Sequence, residues 1–230
     1  MRHRLDSLRP LAVPLIAGLL AALSAWIFIR ISEEMLQGDT GAFDMAILRA
    51  ARTLRTGHPW IVEVMRDLSG LGSVAVLTLF SLLTVGYLAV VKSRAAALLV
   101  AAAVISGSAG VSLLKDRFGR PRPDIAFTEL VAPGMSYPSG HAAMSAVVFL
   151  TLGALLASTR SRALEQVYIL AVAALMAVLV GTSRVALGVH WATDVLAGWA
   201  IGTAWALTWL LVARGRRQAR PTSSQGTVDR

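Results

Sequence analysis

Six apolar runs, most of them long enough to cross a lipid bilayer, dominate this 230-residue chain and leave few folds open to it. They lie near residues 11–31, 70–91, 95–114, 142–158, 167–182 and 191–213. A helical crossing takes about 20 residues, within a range of about 17–25. The first three runs and the last meet this easily, 142–158 sits at the lower limit, and 167–182 is short. Backbone polar groups in hydrocarbon must be satisfied within the segment itself, so such runs become helices. The expected fold is therefore all-α, a six-span transmembrane helical bundle forming one domain over residues 1–213. The chain is 56% hydrophobic and only 15% charged, where a soluble domain carries roughly 25% charge.

Parity supports the short fifth run. Without it, two of the polar clusters described below would face opposite sides of the membrane. Basic residues set the orientation. Arg2, Arg4 and Arg9 precede the first span, Lys92 and Arg94 join spans two and three, and Arg160 and Arg162 join spans four and five. Arg214, Arg216, Arg217 and Arg220 follow the last. All four groups fall on one side, expected to be cytoplasmic, with both termini. The other side receives the loop 32–69, the loop 115–141 and the turn 183–190. The formal net charge of +9 is accounted for by this topology, and no basic stripe interleaved with aromatics suggests nucleic acid. The first run exceeds a signal-peptide core and no small-residue cleavage site follows it, so an uncleaved span is expected. In the loop 32–69, Phe43, Ile47, Leu48 and Leu54 alternate with arginines. That pattern admits either an interfacial amphipathic helix or a connecting helix packed on the bundle. Residues 214–230 read as a basic, disordered tail.

Three polar clusters break the apolar pattern: Lys115 with Arg122-Pro123, Pro138-Ser139-Gly140-His141, and Ser183-Arg184 with His190 and Asp194. Ionisable groups near hydrocarbon are costly and mark function. Their chemistry suits an oxyanion such as phosphate. His190 and Asp194 are four residues apart, which puts them on one face of a helix. A carboxylate there fixes the imidazole tautomer and supports positive charge on the ring, as a histidine nucleophile requires. The plainer alternative is a structural hydrogen-bonded pair. His141 stands at the entry to span four, where free N–H groups favour an anion. Gly140 allows phosphate close to the backbone, and His141 suits a general acid, though an interfacial histidine would look the same. Lys115, Arg122 and Arg184 would hold the nonbridging oxygens. Pro121 and Pro123 restrict the backbone around Arg122. Arg117 and Arg120 fit either a second phosphate or headgroup, or a solvated face.

The spacing Lys-x6-Arg-Pro, Pro-Ser-Gly-His, Ser-Arg-x5-His-x3-Asp resembles the signature of the type 2 phosphatidic acid phosphatase family, whose site is shared with vanadium haloperoxidases. Lys115, Arg122, Pro123, Pro138–His141, Ser183, Arg184, His190 and Asp194 match it at every position. The resemblance implies that His190 forms a phosphohistidine supported by Asp194. It also implies that His141 protonates the leaving group and then activates water. Lys115, Arg122 and Arg184 would hold phosphate, with Ser139 and the Gly140 backbone assisting. Members use no metal, and no cofactor is expected; the likeness to bacterial members implies the cytoplasmic membrane, and the charge count above turns the site to the periplasm or cell exterior.

Other chemistries compete. His141, His190 and Asp194 are possible metal ligands, but three cations around them would repel the ion. Vanadate-dependent peroxidation, a non-hydrolytic transporter and a lipid phosphotransferase use overlapping features. Among substrates, the resemblance brings in undecaprenyl pyrophosphate, phosphatidylglycerophosphate, phosphatidic acid and lipid A phosphate. Undecaprenyl pyrophosphate leads, in part because Arg117 and Arg120 suit a second phosphate.

Overall fold

Each apolar run becomes a helix, and the helices run further than hydropathy suggests. The computed structural model describes residues 2–130 and 132–218, and among these the regular structure is helical. Helix α1 (Arg2–Gln37) is followed by α2 (Gly41–Gly57) and α3 (Trp60–Gly70). Then come α4 (Val74–Val90), α5 (Arg94–Phe118), α6 (Gly140–Ala157), α7 (Ala163–Ala186) and α8 (Ala192–Gln218). Among the described residues, six helical segments are long and apolar enough to cross a membrane: Ala12–Gln37, Trp60–Val90, Arg94–Phe118, Gly140–Ala157, Ala163–Ala186 and Ala192–Arg216. Leu15, Leu19, Leu82, Leu83, Leu98 and Ile105 are all exposed. Large apolar side chains point outward because the surrounding solvent is lipid rather than water.

Helices α6, α7 and α8 form the centre, with α1 along α8, α5 against α4 and α6, and α3 against α7. Small residues allow the close contacts, as expected where packing rather than water exclusion drives association. A Cβ at Gly198 of α8 would lie 2.7 Å from the Ser139 carbonyl oxygen and 2.9 Å from Ala142 Cβ. One turn on, Gly202 packs on the Ala143 carbonyl and Ala146. These contacts fix the first turn of α6 against α8. Trp205 and Trp209 satisfy their indole N–H groups on Ser106 Oγ of α5, at 3.1 and 3.2 Å.

Two boundaries differ from the sequence expectation, and the sequence leaves one segment open. The short run 167–182 is the core of the 24-residue α7, because the helix continues through polar residues at both ends. Ser183 and Arg184 therefore lie in its last turn, and the reversal occupies 187–191 rather than 183–190. The last helix continues to Gln218, into the segment read as disordered from 214; residues 219–230 lie outside the described residues. Within the segment 32–69, α2 packs on α7 and α8. Asp44, Leu48 and Arg55 of α2 are buried, while Phe43, Ile47 and Leu54 face outward.

Candidate active site

The three clusters converge at one end of the bundle because four helix ends meet there. Helix α5 stops at Gly119, whose left-handed φ of 61° suits a C-terminal cap and whose N–H donates to the Lys115 carbonyl at 3.0 Å. The chain then crosses the bundle end to reach α6. Along the way Ser136 N–H donates to the Arg120 carbonyl at 2.8 Å and Ser139 N–H to the Asp194 carbonyl at 2.9 Å. Tyr137 is fully buried, its ring against Phe28 and Phe118 and its hydroxyl 2.7 Å from Ser32 Oγ of α1. Burial pushes that phenol up to about 12. After α7, Gly188 has φ of 74° and packs on the Phe127 carbonyl oxygen, with Phe127 C 2.8 Å from where a Cβ would stand. Only glycine lets this turn pass beneath the segment 125–129.

His190 is 2% exposed. Its Nδ1 lies 3.2 Å from Asp194 Oδ2, and its Nε2 lies 3.1 Å from Arg122 Nη1. A guanidinium has no lone pair to offer, so Nε2 accepts from Arg122 and the ring proton resides on Nδ1, facing Asp194. The tautomer is thereby set with the Nε2 lone pair turned to the cations. Burial pushes the imidazole down to about 4; Asp194 opposes this, and Arg122 and Arg184 reinforce it. The ring is neutral near neutral pH.

Arg122 donates through Nε to the Gly134 carbonyl at 3.0 Å, through Nη1 to Val189 at 2.8 Å, and through Nη2 to Pro133 at 3.1 Å. Burial lowers its pKa while Asp194 acts against the shift. Lys115 Nζ donates to the Met135 carbonyl at 2.7 Å, and its Cε lies 3.6 Å from where a Cβ on Gly140 would stand. Arg184 is 6% exposed and donates through Nη1 to Ser69 Oγ of α3 at 2.5 Å. Its Nε and the Ser139 Oγ are both buried without a hydrogen-bond partner. Orphaned polar groups of this kind are costly, and here both belong to the clusters whose chemistry suits an oxyanion. His141, in the first turn of α6, lies within electrostatic reach of Arg184, His190, Arg122 and Lys115. All eight residues singled out from sequence, namely His190, His141, Asp194, Lys115, Arg122, Ser139, Gly140 and Arg184, thus gather in one place.

Arg120 is where the sequence reading fails. Its side chain is 13% exposed and ion-paired at 2.7 Å to both Asp44 and Asp194. It faces two carboxylates, so it is unsuited to a second phosphate; Arg117 is exposed. Ser136, which sequence reasoning passed over, donates through Oγ to Asp194 Oδ2 and lies 3.3 Å from His190 Nδ1. Arg55 also went unnoticed. It is buried and donates to the Ala186 and Phe127 carbonyls, clamping α2 over the end of α7. Among the described residues, no three His, Cys, Asp or Glu side chains gather as a metal-binding set.

Cations around a buried, tautomer-fixed histidine at the end of an apolar bundle suit an oxyanion held at a membrane surface. The family model described as the PAP2 superfamily matches residues 96–218. Phosphatidylglycerophosphatase B of Bacillus subtilis (strain 168) is 36% identical over 166 residues, covering 69% of this chain and 77% of that protein. Undecaprenyl-diphosphatase of Sulfolobus acidocaldarius is 46% identical over 68 residues, 30% of this chain and 29% of that protein. Among solved structures, the transmembrane PAP2-type phosphatidylglycerolphosphate phosphatase from Bacillus subtilis aligns with a TM-score of 0.76 at 28% identity, covering 88% of this chain and 98% of that one. LpxE of Aquifex aeolicus aligns with a TM-score of 0.56 at 26% identity, covering 72% and 93%. The chain belongs to the PAP2 superfamily and is a multi-pass membrane lipid phosphatase.

Proposed function

We propose that the protein hydrolyses phosphatidylglycerophosphate at the outer face of the cytoplasmic membrane, through a phosphohistidine on His190 and without a metal ion. The observation that carries this reading is the His190 ring, with Nδ1–H held by Asp194 and the Nε2 lone pair turned toward Arg122. Lys115, Arg122 and Arg184 bind the nonbridging oxygens, and Ser139 Oγ and Arg184 Nε gain the partners they lack within the protein. Nε2 attacks phosphorus as the bond to the lipid oxygen breaks, and His141 gives that oxygen a proton. His141 then takes a proton from water, which attacks the phosphohistidine and releases inorganic phosphate and neutral His190. The substrate phosphate supplies the negative charge that compensates the imidazolium of His141. Three cations also occupy the role that a divalent ion would serve in charge stabilisation.

The relative matched over most of its length is named a phosphatidylglycerophosphatase, which supports that lipid as substrate. The engagement of Arg120 by two carboxylates removes one reason for preferring a two-phosphate lipid. Undecaprenyl diphosphate is the second reading, favoured by the shorter match to an undecaprenyl-diphosphatase. For orientation, Lys92, Arg94, Arg160, Arg162 and Arg214 stand at helix ends away from the site, which supports a cytoplasmic placement for that side.

The test is phosphate release by purified protein in detergent with EDTA, comparing phosphatidylglycerophosphate, undecaprenyl diphosphate and phosphatidic acid, with H190A alongside. A rate on phosphatidylglycerophosphate at least tenfold above the others, absent in H190A, is expected. A preference for undecaprenyl diphosphate would overturn the substrate assignment. Dependence on added metal would overturn the mechanism. An acceptor-dependent labelled product would indicate phosphotransfer instead.

A further inference from the structure

Asp194 is fully buried and accepts from four groups: Arg120 Nη1 at 2.7 Å on Oδ1, and on Oδ2 Ser136 Oγ, Trp191 N–H at 3.0 Å and His190 Nδ1 at 3.2 Å. Arg120 does not stop at Asp194. Its Nη2 donates at 2.7 Å to Asp44 Oδ2 of α2, a carboxylate only 1% exposed. Asp44 also accepts from Thr193 N–H at 2.9 Å and Thr193 Oγ1 at 2.7 Å, directly beside Asp194 in the chain. The Arg120 guanidinium stands 5.3 Å over the Trp191 ring. Two buried carboxylates sharing one guanidinium carry a residual charge of minus one. A lone Arg120–Asp194 pair would be neutral and would give little support to a cation forming on His190.

We propose that Asp44 and Arg120 are positioning residues for the phosphoryl transfer. Arg120 fixes Asp194 with Oδ2 toward His190, and Asp44 offsets the charge of Arg120 so that Asp194 acts on the ring as a full anion. The inference rests on His190 as the nucleophile. It also assigns a function to α2: through Asp44 the connecting helix holds the orientation of the catalytic ring from outside the three sequence clusters.

Charge and geometry separate by experiment. His190 has Asp194 of α8, Arg184 of α7, His141 of α6 and Arg122 of the crossing segment around it, with Lys115 of α5 near Asp194 and Arg120 on the other oxygen of Asp194; D44N and R120Q leave the first five unaltered. With full-length protein and phosphatidylglycerophosphate, both variants should lower kcat by about 10- to 100-fold, the range seen when a metal-bound histidine loses its orienting partner, with KM within about threefold of wild type.

The acid limb of kcat/KM should move in opposite directions. R120Q removes the cation held on the far oxygen of Asp194 and should raise the limb by about one pH unit; D44N removes the anion behind that cation and should lower it by about half a unit. R120K keeps the charge but lacks the two-pronged donor, so its limb should stay at the wild-type position while kcat stays low. R120K and D44N carry the test if R120Q fails to fold. Coincident limbs in D44N, R120K and wild type, with kcat losses that track melting temperature, would overturn the assignment. Turnover surviving in H190A would overturn the nucleophile reading and this inference together, whereas an inactive H190A beside unmoved limbs would overturn the Asp44–Arg120 assignment alone.

Discussion

Replacing Asp194 with asparagine changes shape little and charge completely. The carboxylate accepts from donors on both oxygens, Arg120 on one and Ser136, Trp191 N–H and His190 on the other. An amide has one oxygen, so its NH2 group must face a donor whichever way it turns. Facing Arg120, it forfeits a charge-assisted hydrogen bond, roughly twice the strength of a neutral one. Facing His190, it meets the Nδ1 proton and favours the other tautomer, which puts the proton on Nε2 and removes the attacking lone pair. In a serine hydrolase, the same change beside the catalytic histidine lowers turnover about 10⁴-fold by the tautomer effect, equivalent to about 5 kcal/mol of transition-state stabilisation. D194N should therefore lose about 10³- to 10⁴-fold in kcat, with KM nearly unchanged because Lys115, Arg122 and Arg184 still hold the phosphate. Destabilisation of about 2 kcal/mol should accompany it, below the usual cost of breaking a buried pair because Asp44 still holds Arg120. Steady-state phosphate release and thermal unfolding in the same detergent measure both. D194N turnover within tenfold of wild type would refute the orienting role.

The pH dependence of stability gives a second test. His190 is ordinarily near 6.5 and is held at about 4 in the fold by burial, so the unfolded chain binds the proton first. The stability that the neutral His190 ring contributes is complete above pH 6.5 and is lost as pH falls toward 4, by at most about 3 kcal/mol. The melting temperature of H190A should fall less than that of wild type over this window, and parallel curves would contradict the buried neutral ring. Gly198→Val pushes a branched side chain against the Ser139 carbonyl and Ala142, and overpacking of this kind costs about 1–3 kcal/mol. It should lower both the melting temperature and kcat by displacing the first turn of α6, whereas the same change at exposed Gly86, which has open space around it, should leave kcat unaltered.

The polar clusters were legible because each is compact in sequence and interrupts a hydrophobic run. His190 and Asp194 share a helical face by spacing alone, and Gly140-His141 sits where a span must begin. Their meeting at one bundle end follows from topology, since the end of α5, the start of α6, the end of α7 and the start of α8 share a side. Helix lengths were underestimated because hydropathy falls at the first charged residue while the helix does not. Lys115 and Arg184 lie in last turns, within helices of 25 and 24 residues, where basic groups are favoured by the helix dipole.

Asp44 carried no such signal. It is one of several acidic residues in a mixed-charge loop, and its partner Arg120 is 76 positions away. Nothing local separates a buried carboxylate from solvated neighbours. Arg120 was misread for the same reason: a basic residue in that stretch suggested a second phosphate, a headgroup or a solvated face, whereas its side chain is paired with Asp44 and Asp194. Tyr137 and Ser32, 105 positions apart, form another contact that only tertiary packing reveals.

The central claim is that His190 Nε2 carries the phosphoryl group. The most direct measurement is rapid alkaline quenching of enzyme turning over phosphatidylglycerophosphate labelled with ³²P in its terminal phosphate, followed by peptide mapping. Acid-labile label on the peptide bearing His190, forming and decaying at rates compatible with kcat and absent in H190A, is the expected result. Label confined to His141, or full turnover by a protein that never acquires label, would contradict the account.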